Sequence, residues 1–331
     1  MSNYIVFDLE GPLSPQDNAY DLMRLFPNGD RVFEVISRYD DLLTLAEKPD
    51  YEPGDTLALI VPFLILHGVK EADIARLATE ATLVPGALDL ISGLYTEEWR
   101  VFCITTTYEQ YAMHITHKLG IYAHNVACTS FPLDRMRLSL AQEETDLLRR
   151  TEEAILSLDP ANDVGIRQAL DKFFWGELPR TGVGKLIQQV KPVGGRRKTE
   201  ALKRFSEKYG VPFSGWVAVG DSITDARMLG EIDKAGGLAI GFNANQYALP
   251  CATMSLASTH LSDLKDVLLA WKKGQRREAE RLVSDREKRG TGGDRANFHW
   301  LAKRDKAQID DVVQVHKRLR QMVRQSAGKL G

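Results

Sequence analysis

The 331-residue chain is 44% apolar and 27% charged, globular values that suit one elaborated α/β domain or two domains and exclude a disordered or fibrous chain. Its formal net charge of −2 hides an asymmetry, because residues 272–331 hold 17 Lys and Arg against 8 Asp and Glu, a tail of +9, and the remaining 271 residues carry −11. The longest apolar run, 57–66, contains Pro62 and is short of the ~20 residues a bilayer span requires. No basic segment precedes an apolar one at the start, so neither a membrane helix nor a signal peptide is expected and cytoplasmic is the default location. Cys103, Cys128 and Cys251 are far apart in apolar contexts. They read as buried free thiols of a reducing compartment, not as a disulfide framework or a zinc site.

Tyr4, Ile5, Val6 and Phe7 predict a short buried strand, followed by Asp8 and Glu10. Gly11, Pro12 and Pro15 break the strand, and Ser14-Pro15 reads as an N-cap with a first-turn proline. A carboxylate at the C-terminal end of a parallel strand stands where open α/β sheets place their sites. By itself the pair is equally well a solvated strand end. Residues 15–90 read as helical, with 57–66 as a buried segment and no good strand to interrupt them. This predicts a helical subdomain inserted just after the first strand.

Residues 101–104 predict the next buried strand, closed by Thr105, Thr106 and Thr107 and followed by a helix over 108–119 with Gly120 just past its end. Hydroxyls and free N–H groups at a strand end that opens a helix suit an anion, although one threonine capping the helix explains them as simply. A brief strand is expected at 125–128. Residues 138–158, 166–175 and 182–190 look helical, a second insertion whose packing partner is open. The pattern then recovers, with a helix over 198–209, a strand over 216–219, the sequence GDSITDARML with Asp221 and Asp225, and a strand over 237–241. Beyond Trp271 two long helices are expected, over 272–288 and 303–326, with a break at 290–293. Their interleaved acids and bases read as a solvated hairpin packed on the body. No nucleic-acid motif is present, and the basic helices are the candidate surface for a protein partner.

Four ordered pieces resemble the haloacid dehalogenase-like hydrolase superfamily: FDLEGPLS with Asp8, VFCITTT with Thr105, Lys198 at a helix start, and VGDSITD with Asp221 and Asp225. The 23-residue gap from Lys198 to Asp221 is similar to that of phosphoserine phosphatase-like members. DLEGPLSPQDNAY and TTTYEQY also resemble the phosphatase-like subunit of archaeal energy-converting hydrogenases. The resemblance implies a Rossmann-like α/β core, a parallel sheet flanked by helices, with a helical cap and a second helical insertion. The core would comprise 1–14, 84–129 and 193–271, the cap 15–83, the insertion 130–192 and a basic extension 272–331.

The function implied is Mg²⁺-dependent hydrolysis of a small phosphorylated metabolite through an aspartyl-phosphate. Asp8 would attack phosphorus. Glu10 would protonate the leaving group and then activate water, which requires its pKa to rise from the usual ~4.3. Mg²⁺ would be held by Asp8, the Glu10 carbonyl and Asp221. Thr105, Thr106 and Lys198 would bind phosphate, and Asp225 would support the metal or orient Lys198. Lys185 and Lys191 compete for the lysine role but do not start a helix at the right distance, and Arg196 and Arg197 read as a solvated loop. Glu10, Pro12 and Thr224 depart from the commoner Asp, Thr and Asn, and this bears on efficiency more than on fold. His114 and His117, three apart on a helix, lack a third metal ligand nearby. The alternative is a phosphatase-like, non-catalytic accessory or binding subunit of a larger complex.

Overall fold

The computed structural model describes residues 3–137, 140–290 and 296–324. Among them seven strands form one sheet in the order β3-β2-β1-β4-β5-β6-β7. They are β1 Asn3–Phe7, β2 Trp99–Tyr108, β3 Val126–Thr129, β4 Trp216–Gly220, β5 Leu238–Phe242, β6 Met254–Ala257 and β7 Asn297–Trp300. β1 to β6 run parallel, and β7 is antiparallel to β6. β1 is central and apolar on both faces because helices cover both: Ile5 and Phe7 pack into one core layer, Tyr4 and Val6 into the other. This is the expected Rossmann-like α/β architecture.

The stretch between β1 and β2 is helical as predicted, with Asn18–Met23, Gly29–Leu45, Thr56–Leu59, Val61–Leu66 and Glu71–Glu80 before the core helix Ala87–Thr96. Its start differs from expectation. Asp17, not Ser14, caps the first helix, accepting from Tyr20 N at 3.0 Å. The Ser14 hydroxyl instead reaches the Thr82 carbonyl at 3.2 Å. The apolar run 57–66 is divided at Ile60, and Pro62 lies in the first turn of Val61–Leu66, where its missing N–H leaves no bond unmade.

The second insertion contributes Leu133–Arg137, Gln142–Ser157, Asp163–Asp171, a π-helical turn Lys172–Glu177 and Gly182–Ile187. It packs on the first insertion. Arg38 grips Asp163 with two hydrogen bonds of 2.8 and 2.7 Å, and Trp175 Nε1 donates to the Tyr39 hydroxyl at 2.7 Å. Ile166, Leu170 and Phe173 share one apolar cluster with Val35, Ile36 and Phe63.

Three strands depart from expectation. β2 runs on through the threonines to Tyr108, which pairs with Thr129 of β3 after a register shift. β6 was not anticipated, and β7 falls where only helices and a break were expected. Phe298 and Trp300 alternate inward along β7, which explains why this short segment joins the sheet. The helix before it is Lys265–Arg289, interrupted at Gly274 and Gln275, and the chain then returns as Lys306–Arg324. Residues 291–293 of the expected break, Leu138 and Ser139 of the expected helix 138–158, and the last two residues of the expected helix 303–326 lie outside the described residues. No helix among the described residues is long and apolar enough to cross a membrane.

Candidate active site

Two neighbouring strand ends carry the acids. The parallel register sets Phe7 beside Val219, and Asp8 N donates to the Val219 carbonyl at 2.9 Å, so Asp8 extends β1 by one residue. Asp221 follows β4 directly. Asp225 folds back over the turn, its Oδ2 accepting from Asp221 N at 3.0 Å and Ser222 N at 3.1 Å. Lys198, in the first turn of the helix Arg196–Tyr209, completes the group. Its Nζ lies 2.8 Å from Asp8 Oδ2 and 2.7 Å from Asp225 Oδ1, with no solvent exposure. Gly11 lets the loop after β1 close over these acids. Its φ is +95°, and a Cβ there would stand 2.3 Å from Asp221 Oδ2.

Burial dominates the electrostatics. It pushes the Asp8 carboxyl well above its ordinary value, and Asp225 and Asp221 add to the rise while Lys198 opposes it. Burial also works against the Lys198 charge, but Asp225 and Asp8 outweigh it and hold the ammonium above its usual pKa. Asp8, Asp221 and Asp225 each place a carboxylate oxygen within 4.8 Å of the others. An oxygen-only donor set with excess negative charge fits a hard divalent cation such as Mg²⁺.

Above this group is a cleft of about 200 Å³ between core and helical insertion. Asp8, Glu10, Thr106, Asp221 and Thr224 line it from the core side, with Asp17, Phe33, Asp40 and Thr56 opposite. Glu10 Oε1 accepts from Asn18 N at 2.7 Å, so this acid is tethered to the first helix of the insertion. Of the two threonines, Thr106 lines the cleft, its hydroxyl donating to the Val193 carbonyl at 3.3 Å. Thr105 is fully buried, its hydroxyl donating to Thr107 Oγ1 at 3.0 Å and accepting from Thr107 N at 3.2 Å. The helix Glu109–Lys118 has Tyr108 as its N-cap and no side-chain cap, so threonine capping does not account for the run. His114 and His117 lie on that helix, and the metal-competent cluster found among the described residues is carboxylate only.

Arg196 and Arg197 are a correction to the solvated-loop expectation. Glu52 accepts from Arg196 N at 2.8 Å and from Arg196 Nε at 3.1 Å, and Asp55 pairs with both terminal nitrogens of Arg197. Both acids are buried, and they clamp the first insertion onto the helix that carries Lys198. Gly195, at φ +50°, allows the approach, since a Cβ there would lie 2.4 Å from Glu52 Oε2.

Two cleft residues escaped the sequence reading. Asp40 sits on the insertion wall, with burial raising its carboxyl to about 7 against hydrogen bonds from Tyr51 and Thr56. Arg320, from the helix Lys306–Arg324, also lines the cleft. The available signal was a pair of polar residues, His316 and Arg320, on the buried stripe that includes Val312 and Leu319.

No protein-family model matches the chain. Among curated proteins, a 64-residue stretch is 44% identical to phosphoserine phosphatase SerB2 of Mycobacterium tuberculosis, covering 19% of this chain and only 15% of that protein. Among solved structures, a gene product of Archaeoglobus fulgidus superposes with a TM-score of 0.86 at 28% identity, over 100% of this chain and 99% of that one. A phosphoserine phosphatase solved as a phospho-aspartyl intermediate analogue superposes with a TM-score of 0.50 at 16% identity, over 80% of this chain and 98% of the other, a likeness of fold.

Proposed function

We propose that this chain, whose fold is haloacid dehalogenase-like and of the phosphoserine phosphatase type, is a phosphomonoester hydrolase acting on a small metabolite. The observation that carries the reading is Asp8 and Asp221 on the floor of a 200 Å³ cleft, with the fully buried Lys198 and Asp225 packed behind them. Phosphate monoesters are among the slowest substrates to hydrolyse, with enzymatic accelerations of up to about 10²¹. A site for them has to align a nucleophile, neutralise the phosphoryl oxygens and protonate the leaving oxygen.

Asp8 is the nucleophile in this reading. Its Oδ1 accepts from Leu9 N at 2.7 Å and its Oδ2 is held by Lys198, so the carboxylate cannot rotate freely. Attack on phosphorus forms an aspartyl-phosphate and expels the alcohol. Glu10, on the cleft wall, delivers the proton to the leaving oxygen and takes one from water in the second step. Lys198 provides a donor for the phosphoryl oxygens, and the Thr106 hydroxyl provides a second once it turns from the Val193 carbonyl to which it donates at 3.3 Å. Thr105, bonded to Thr107, supports the backbone there. Asp225 orients Lys198. Asp8, Asp221 and the Glu10 carbonyl would hold Mg²⁺, which when bound neutralises charge on the phosphoryl group.

The insertion wall offers Asp17 and Asp40 and no lysine or arginine, and the arginine that lines the cleft, Arg320, comes from the C-terminal helix and is paired with Asp221. An acidic wall disfavours polyanions, so one small monoester fits better than a nucleic acid. Intact nucleophile, lysine and metal acids argue for turnover rather than for an accessory role alone.

The test is hydrolysis of an aryl phosphate with Mg²⁺, with EDTA and in Asp8→Asn, followed by a metabolite panel that includes phosphoserine. Turnover is expected to need both the metal and Asp8, and Asp8→Asn is expected to fold normally. Full activity in Asp8→Asn refutes the nucleophile. Mg²⁺ binding without turnover on any substrate refutes the enzyme reading.

A further inference from the structure

Arg320 differs from the rest of the basic tail. Lys317 and Arg318 face solvent, whereas Arg320 is only 9% exposed. One turn earlier, His316 seats the helix, its Nδ1 accepting from Ala244 N at 2.8 Å and its Nε2 lying 3.0 Å from Ser255 Oγ. With the helix docked there, Arg320 Nη1 donates to the Asp221 backbone carbonyl at 3.0 Å and lies 3.2 Å from Asp221 Oδ2. Two cations are therefore folded in with the acid cluster. Lys198 bridges Asp8 and Asp225, and Arg320 pairs with Asp221.

We infer that Arg320 is a positioning residue that sets how tightly the carboxylate cluster holds a divalent cation. The inference rests on the metal-dependent reading above. A guanidinium stays charged at any working pH. Here it holds the same carboxylate that a divalent ion would draw on. Between buried charges a few ångströms apart, solvent screening is weak and the repulsion between guanidinium and incoming ion is large. Arg320 thus holds the Asp221 carboxylate aimed before the ion arrives, and its charge lowers the affinity for the ion once it does. The C-terminal helix becomes part of the site.

Charge removal and loss of packing predict opposite outcomes, which makes the inference testable. Mg²⁺ is titrated calorimetrically into the full chain, as wild type, Arg320→Gln and Arg320→Lys, without substrate. Arg320→Gln is expected to bind Mg²⁺ about tenfold more tightly, because a charge of like sign has been removed. Arg320→Lys, which keeps the charge, is expected to stay within about threefold of wild type. Turnover at saturating Mg²⁺ is expected to fall in Arg320→Gln, so that affinity and rate move in opposite directions. A merely structural role weakens both together. Equal or weaker Mg²⁺ binding in Arg320→Gln overturns the inference and leaves the metal reading intact. No binding of Mg²⁺ or Mn²⁺ to the wild type overturns both. Should Arg320→Gln fail to fold, Arg320→Met carries the same expectation.

Discussion

Buried carboxylates repel one another, yet Asp8, Asp221 and Asp225 come within 4.8 Å of each other in a region almost closed to solvent. Such a cluster is tolerable only with cations inside it. Lys198 serves two of the acids at once. Its removal leaves both charges buried and underpaired, which costs far more than the pair's net worth. Lys198→Met is accordingly expected to destabilise the fold by roughly 3–5 kcal/mol as well as to abolish turnover. Denaturant unfolding checks this, and a loss below about 1 kcal/mol would show that the acids take up protons instead. Glu10 is a second residue whose setting matters. It is one methylene longer than the commoner Asp, and its Oε1 is occupied by Asn18 N at 2.7 Å. In the proposed mechanism, proton transfer from Glu10 would therefore depend on the position of the insertion's first helix.

The elements that deliver these residues are fixed by few contacts. The helix Arg196–Tyr209 begins against Gly195, and its first two arginines hold the Glu52 and Asp55 loop. The same turn that places Lys198 under Asp8 thus docks the insertion above it. The C-terminal helix Lys306–Arg324 depends on His316. Burial, with help from His299 and Arg320, lowers that imidazole to about 3, from 6.5 when unfolded. The neutral form is the one that fits, because Nδ1 must accept from Ala244 N. The depressed pKa means that stability is fully present above pH 6.5 and is lost as pH falls from there towards 3. At pH 5 the loss is about 2 kcal/mol relative to pH 7. Unfolding free energies at the two pH values, in wild type and in His316→Gln, check this. The glutamine variant is expected to lack that part of the pH dependence, and an identical dependence would remove His316 as its source.

At the scale of the whole molecule, the two insertions form one helical body over the core, joined by Arg38 with Asp163, by Tyr39 with Trp175 and by shared apolar packing. The cleft lies where that body meets the strand ends. A divalent ion bound there would bind the folded chain and not the unfolded one. Mg²⁺ at 100 times its dissociation constant is therefore expected to stabilise the protein by about 2.7 kcal/mol. Asp221→Asn is expected to abolish most of that gain, as read from the thermal midpoint with and without Mg²⁺. An equal gain in the variant would place the ion elsewhere.

Local patterns determined much of this by themselves. An apolar run ended by Asp8, another ended by the threonines, Lys198 at a helix start, and Asp221 with Asp225 after a third run are short-range signals. They suffice for the α/β class and for the acids and lysine that converge, because a parallel strand puts the residue after it at one edge of the sheet. What only the tertiary structure decided depends on contacts between residues far apart in the chain. The second insertion found its partner in Gly29–Leu45, Arg196 and Arg197 met buried acids more than a hundred residues away, and Thr106 rather than Thr105 reached the cleft. Arg320 is the clearest instance. In sequence it is one base among 17 in a tail of mixed charge, marked only by its place on the helical stripe of Val312, His316 and Leu319, which does not say what the stripe packs against. Its place beside Asp221 follows from β7 joining the sheet and turning the last helix back across β6, a pairing that periodicity cannot encode.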